Sequence, residues 1–154
     1  MTNDEILARQ NKAEELFRNG FNCAQSVVAA CADIYGIDEQ TALRIAASFG
    51  GGIGRMRQTC GAACGMFILE GLQSGSTTPH DTQGKKHNYE RVQALAAQFK
   101  EENGSLICAE LLGLKKPENT AQPEERTETY YKKRPCVEMV RQAVRIYCEA
   151  MVES

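Results

Sequence analysis

The apolar positions of this chain recur every three or four residues, which is the spacing of one face of an α-helix. Such stripes follow one another along the whole sequence, separated by polar capping residues and glycines. No stretch shows the alternation of apolar and polar residues that is typical of a strand. The pattern therefore predicts an all-α fold, a single-domain helical bundle of about six helices spanning residues 1–154.

Capping residues and glycines indicate where the individual helices begin and end. Thr2 and Glu5 have the spacing of a capping box at the first helix, which Gly20 ends. A long fifth helix is predicted around 89–102. The other predicted cap, stop and first-turn residues are Asn22, Gly36, Asp38, Thr59, Gly104, Ser105 and Pro135.

Two stretches between the helices have an unusual composition. Residues 113–134 are long, polar and contain two prolines, so they are predicted to form a loop, either a lid or a plain surface connection. The glycine-rich stretch 50–54 follows a helix and lacks the Lys-Ser/Thr of a phosphate-binding loop, so nucleotide binding is not predicted. We expect its glycines to let the backbone pass close to the helix start at Cys60.

The composition limits the classes of protein to which the chain can belong. Its net charge of −2 gives no electrostatic reason to expect nucleic acid or an acidic membrane as a partner. No run approaches the roughly 20 apolar residues that cross a bilayer, and the acidic N-terminus is unlike a signal peptide, so we expect a cytoplasmic protein. Seven cysteines are many for a reducing compartment, and their odd number argues against fully paired disulfides.

Four of the seven cysteines fall in the first turns of predicted helices, namely Cys23, Cys60, Cys108 and Cys136. Unpaired amide groups and the positive end of the helix dipole favour an anion at that position, so they lower the pKa of a thiol there. If the four helix starts converge, they form a four-thiolate site, with or without a metal.

The remaining candidates receive other interpretations. Cys31 and Cys148 lie among apolar neighbours inside helices, which favours core packing. Cys64 follows Cys60 by four residues on the same helix face, so it is a resolving thiol, a fifth ligand or a core residue. The chain lacks the C-x-x-C pairs of thioredoxins and zinc ribbons and the haem motif C-x-x-C-H.

Solvent exposure is favoured for His80 and His87, whereas Arg55 and Arg57 either supply positive charge to thiolates or are solvated.

Two adjoining motifs resemble a known family. Phe-Gly-Gly-Gly-Ile-Gly-Arg at 49–55, followed by Cys-Gly-Ala-Ala-Cys-Gly at 60–65, is similar to the redox-active family named for its cysteine pattern C_GCAxxG_C_C. The segment 21–27 resembles the first cysteine element of that family, and Cys108 and Cys136 fall where its two later cysteines are expected. The central element here reads Cys-Gly-Ala instead of Gly-Cys-Ala. The family is similar to the non-haem module of split-Soret cytochromes, which implies an iron–sulfur cluster, whereas relatives with selenocysteine imply thiol chemistry.

Three hypotheses follow from the cysteines and the resemblance. The leading one is a redox or electron-transfer protein in which Cys23, Cys60, Cys108 and Cys136 bind an iron–sulfur cluster as its metal ligands. The first alternative is a metal-free thiol–disulfide protein whose catalytic residues are Cys60 and Cys64. The second is a structural zinc protein that binds a partner. We expect a redox partner protein, and no nucleic acid or membrane; a homo-oligomer is left open.

Overall fold

Eight α-helices and two short 3₁₀ segments account for most of the part of the chain that the computed structural model describes, residues 1–114 and 120–153. These residues contain no strand, only an isolated bridge between Thr59 and Ile107, so the predicted all-α class is confirmed. None of the described helices is long and apolar enough to cross a membrane. The α-helices are α1 (Asn3–Arg18), α2 (Cys23–Cys31), α3 (Glu39–Ala46), α4 (Gly61–Ser74), α5 (Thr82–Asn103), α6 (Cys108–Leu111), α7 (Glu128–Lys133) and α8 (Cys136–Glu153).

The first two helices begin where their polar caps predict. The Thr2 hydroxyl accepts a hydrogen bond from the Glu5 amide, and the Glu5 carboxylate accepts one from the Thr2 amide. Asn22 and Gln25 form the same reciprocal pair at the start of α2. These bonds satisfy backbone donors that a helix start leaves unpaired, and the predicted caps Thr2 and Asn22 are confirmed.

Two helical regions extend beyond the predicted ones. The long helix α5 begins at Thr82 instead of near Tyr89, because the Asp81 carboxylate accepts a hydrogen bond from an amide of its first turn at 2.9 Å. The stretch 113–134, predicted as a loop, contains the short helix α7. Pro117, one of the two prolines that favoured a loop there, lies outside the described residues.

The core is built around α2, which packs against α1, α3, α4 and α8. Its buried residues are small, so the neighbouring helices approach closely; a Cβ added at Gly65 of α4 would lie 2.8 Å from the Cβ of Val27. Since α4 and α8 both pack on α2, their first residues come close to the start of α2. The buried residues of α2 are Ala24, Ser26, Val27, Val28, Ala29, Ala30 and Cys31.

Candidate functional site

Four cysteines line one cavity of about 420 Å³ at the starts of the helices. Cys23, Cys108 and Cys136 are the first residues of α2, α6 and α8, and Cys60 is the N-cap residue of α4. The structure therefore brings together all four of the cysteines that the sequence places at helix starts. Their role as ligands of a metal or cofactor stays a prediction.

Backbone pairing between two segments fixes the positions of Cys60 and Cys108. The Cys60 amide donates to the carbonyl of Leu106 at 2.7 Å, and the Cys108 amide donates to the carbonyl of Gln58 at 2.6 Å. This pairing also decides where α4 and α6 begin. The caps predicted at Thr59 and Ser105 are therefore wrong, because Cys60 and Ile107 occupy the two N-cap positions.

Glycines allow the backbone to approach the cysteines closely. Gly52 has a φ of +75°, and a Cβ added to it would lie 2.6 Å from the Cβ of Cys108. A Cβ added at Gly61 would lie 3.3 Å from the Cβ of Cys23 and 2.9 Å from the carbonyl oxygen of Phe49. The sequence predicted that this glycine-rich stretch approaches the helix start at Cys60, whereas the structure places Gly52 against Cys108.

The same loop holds three residues other than glycine in the left-handed region of φ. They are Ile53, Arg55 and Arg57, with φ values of 66°, 62° and 60°. Such a conformation costs about 1–2 kcal/mol for each residue with a side chain, and strain of this kind clusters at functional sites. The loop's backbone hydrogen bonds hold it in place, among them that from the Arg57 amide to the Gly51 carbonyl at 3.1 Å. As a result, Arg55 and Arg57 both line the cavity.

The thiols of Cys23 and Cys136 form an interacting pair in the cavity, in which each shifts the pKa of the other. The hydrogen bond from Cys23 lowers the pKa of Cys136 to about 7, and the positive charges of Arg134, Arg57 and Arg126 act in the same direction. Cys23 keeps its proton, since its hydrogen bond to Cys136 and its burial raise its pKa well above the ordinary value. Cys136 is therefore the thiol of this pair that ionises first.

Burial has the larger effect on Cys60 and Cys108. It raises the pKa of Cys60 to about 12, although the nearby amides of Ala63 and Ala62 act to lower that pKa. Burial also raises the pKa of Cys108, against the effect of Arg57, whose Nη1 lies 3.6 Å from the Cys108 sulfur. At these two thiols desolvation outweighs the lowering of the pKa that is expected at a helix start.

Two further arginines line the cavity, and the sequence analysis did not identify either of them. Arg126 lies 4.2 Å above the ring of Phe17 and donates a hydrogen bond to the Phe17 carbonyl. Arg134 donates to the carboxylate of Glu124 at 2.7 Å. Both arginines belong to the stretch predicted as a lid or a surface connection, and its described residues between 121 and 134 contribute to the lining of the cavity. The only signal for them in the sequence was the position of Arg134, two residues before Cys136.

The other candidate residues lie outside the cavity lining. The Cys64 thiol donates to the carbonyl of Thr59 at 3.8 Å, and burial raises the pKa of Cys64 to about 11. The catalytic pairing of Cys60 with Cys64 stays a prediction. His80 and His87 are both exposed, as the sequence analysis favoured.

The fold and the cavity define a class of helical proteins whose site gathers cysteines from several helix starts. A family model described as "Putative redox-active protein (C_GCAxxG_C_C)" matches residues 21–150, which include all seven cysteines. The chain belongs to this redox-active family, and the family predicted from the cysteine motifs is thereby confirmed. No curated protein matches the chain, and no solved structure does.

Proposed function

We propose that the protein transfers electrons through an iron–sulfur cluster held by Cys23, Cys60, Cys108 and Cys136. The observation that carries this proposal is the convergence of the four cysteines on one cavity. We also propose that the protein works in the reducing cytoplasm, where free thiols persist, and that a partner protein supplies or accepts the electron. When bound, the cluster would supply one-electron redox chemistry.

The charges around the cavity fit a cluster bound by four thiolates. Thiolates are the usual ligands of iron–sulfur clusters, and their negative charge needs nearby positive groups in a buried site. Among the described residues that line the cavity, Glu124 is the single acidic one. The amides of Ala62 and Ala63, in the first turn of α4, add partial positive charge near Cys60. The arginines that line the cavity are Arg55, Arg57, Arg126 and Arg134.

A cluster and a single metal ion place different demands on the four thiols. Among residues 1–114 and 120–153, no group of three or more histidine, cysteine or carboxylate side chains is arranged to hold one metal ion. A cluster distributes its thiolates over two or more irons, so cysteines spread around a cavity can serve it. The pKa of about 12 for Cys60 belongs to the metal-free thiol, and coordination to a metal cation removes such a proton outright.

A second candidate function rests on the interacting pair of Cys23 and Cys136. In a metal-free protein the Cys136 thiolate would attack a disulfide of a partner and release one partner thiolate, which takes up a proton. The Cys23 thiol would then lose its proton, and the resulting thiolate would attack the Cys136 sulfur. This releases the second partner sulfur, which takes up a proton as a thiol. The partner disulfide gains two electrons, and Cys23 and Cys136 lose two as they form a disulfide.

Metal analysis of protein purified without oxygen separates these functions. The proposal predicts iron and acid-labile sulfide in the purified protein, together with a visible absorption that bleaches on reduction. Iron-free protein in which Cys136 is alkylated fastest would overturn the cluster in favour of the thiol pair. One bound zinc without sulfide would instead support the structural zinc protein.

A further inference from the structure

A second pair of cysteines lies outside the cavity, between the same two helices. Cys31 is the last residue of α2, Cys148 lies in α8, and both have 0% exposed surface in the same hydrophobic core. The two thiols are close enough for each to shift the pKa of the other. Because Cys23 and Cys136 pair at the starts of these helices, α2 and α8 contact each other through two separate thiol pairs.

The second pair has a positively charged side chain nearby, that of Arg9 in α1. Its Nη1 donates to the carbonyl of Ala30, next to Cys31, at 2.9 Å, and to the Asp33 carboxylate at 2.6 Å. The hydrogen bond from Cys31 and the charge of Arg9 both lower the pKa of Cys148. The Arg9 side chain is 22% exposed, so solvent reaches the charged group that neighbours the buried thiols.

We propose that Cys31 and Cys148 form a dithiol that hydroperoxides oxidise to a disulfide, which links α2 covalently to α8. The Cys148 thiolate attacks one peroxide oxygen, the O–O bond breaks, and a sulfenic acid forms on Cys148. The hydroxide that leaves takes up the proton that Cys148 lost when it ionised, which gives water. Cys31 then attacks the Cys148 sulfur, the S–O bond breaks, and water leaves with the proton of Cys31. The two thiols lose two electrons, and hydrogen peroxide is reduced to two molecules of water.

The burial of both sulfurs selects the class of oxidant. Hydrogen peroxide is close to water in size, so a small local opening of the packed helices is enough for it to reach a buried sulfur. A bulky disulfide cannot present its sulfur to either thiol while the helices are packed. The disulfide would hold together the two helices whose first residues are Cys23 and Cys136. This inference does not depend on what occupies the cavity.

Peptide mapping of the full chain tests the proposal. Protein with a Cys23→Ser substitution is treated with hydrogen peroxide, its free thiols are alkylated under denaturing conditions, and it is digested with trypsin. Peptide 19–44 then carries a single cysteine, Cys31, and peptide 146–154 carries Cys148. We expect these two peptides to be crosslinked in most chains after peroxide, and to separate on reduction. Oxidised glutathione should leave both thiols free to be alkylated.

A second measurement uses the thermal midpoint of unfolding. The oxidised protein should unfold at a higher temperature than the reduced protein, because the crosslink restricts the unfolded chain. Both proteins carry Cys23→Ser, so that the cavity pair cannot form a disulfide, and a further Cys148→Ser substitution should abolish this difference. Recovery of both cysteines as alkylated thiols after peroxide, or their oxidation to sulfinic acids without a crosslink, would overturn the proposal. If a variant fails to fold, the wild-type protein is mapped instead. Its peptide 19–44 carries both Cys23 and Cys31, so fragmentation of the crosslinked peptides shows which of the two is bonded to Cys148.

Discussion

At the scale of single residues, hydrogen-bond partners and burial decide which thiol ionises. Cys60 and Cys136 both stand at helix starts, yet the pKa of Cys60 is raised to about 12 and that of Cys136 is lowered to about 7. Amide donors are present at Cys60, but burial outweighs them. Cys136 has a thiol donor, Cys23, and the charge of nearby arginines. Helix position alone therefore does not determine the chemistry of a cysteine.

This contrast predicts the pH dependence of alkylation in the metal-free protein. Only the thiolate reacts, so a lowered pKa moves the reaction to lower pH, and Cys136 should be half-maximally reactive near pH 7. Cys23→Ala removes the donor and should move this midpoint up toward the ordinary pKa of 9.0. Iodoacetamide labelling followed by mass spectrometry measures both midpoints. Equal midpoints in the two proteins would show that the pair does not stabilise the Cys136 thiolate.

The helix starts at Cys23 and Cys136 could be predicted from the sequence because the signals for them are local. Asn22 lies beside Cys23 and Pro135 lies beside Cys136, and each marks a helix start within one residue. Arg126 could not be identified in this way, because its place in the cavity wall comes from stacking on Phe17, which is distant in the chain. Pairing between thiols is likewise a property of packed helices, not of one segment.

At the scale of elements, contacts between segments set the helix starts that local signals did not predict correctly. The backbone around Cys60 pairs with the backbone around Cys108, so α4 and α6 begin at positions that neither sequence segment specifies alone. Gly52 is the residue that lets its loop approach Cys108 within this arrangement. The loop and the pairing of the two segments together shape this side of the cavity.

Two glycines of this loop offer a matched test. Alanine at Gly54, where φ is +56° and nothing lies within 4 Å of an added Cβ, should cost only the backbone strain of about 1–2 kcal/mol. Alanine at Gly52 should cost about 1–3 kcal/mol more, since its Cβ would overlap Cys108. Urea denaturation of the metal-free variants measures the difference. Equal free energies of unfolding would contradict the close approach at Gly52.

Two glycines of α4 provide a second matched test, because alanine is expected to stabilise the protein at one of them and to destabilise it at the other. Gly71→Ala has open space and should stabilise the protein by about 0.5–1 kcal/mol through helix propensity. Gly65→Ala places a Cβ 2.8 Å from that of Val27, so an overpacking cost of about 1–3 kcal/mol should exceed the same gain. Thermal and urea unfolding show whether each substitution raises or lowers the free energy of unfolding. A stabilised Gly65→Ala protein would mean that α2 and α4 are less tightly packed than described.

At the scale of the whole molecule, the cavity is assembled from distant parts of the chain. Its cysteines come from α2, α6, α8 and the N-cap of α4, and its arginines come from the loop before α4 and from the stretch before α8. No short segment contains the site, so it exists only when the helices are packed. Binding of a cluster should accordingly be coupled to folding.

The iron content of single cysteine variants shows whether the four cavity cysteines hold an iron–sulfur cluster. Cys23→Ser, Cys60→Ser, Cys108→Ser and Cys136→Ser would each be purified without oxygen beside Cys64→Ser, whose sulfur lies outside the cavity lining. The account predicts that each of the four cavity substitutions lowers the ratio of iron and sulfide to protein, whereas Cys64→Ser keeps the wild-type ratio. Wild-type protein without iron, or unchanged iron in all four cavity variants, would contradict it.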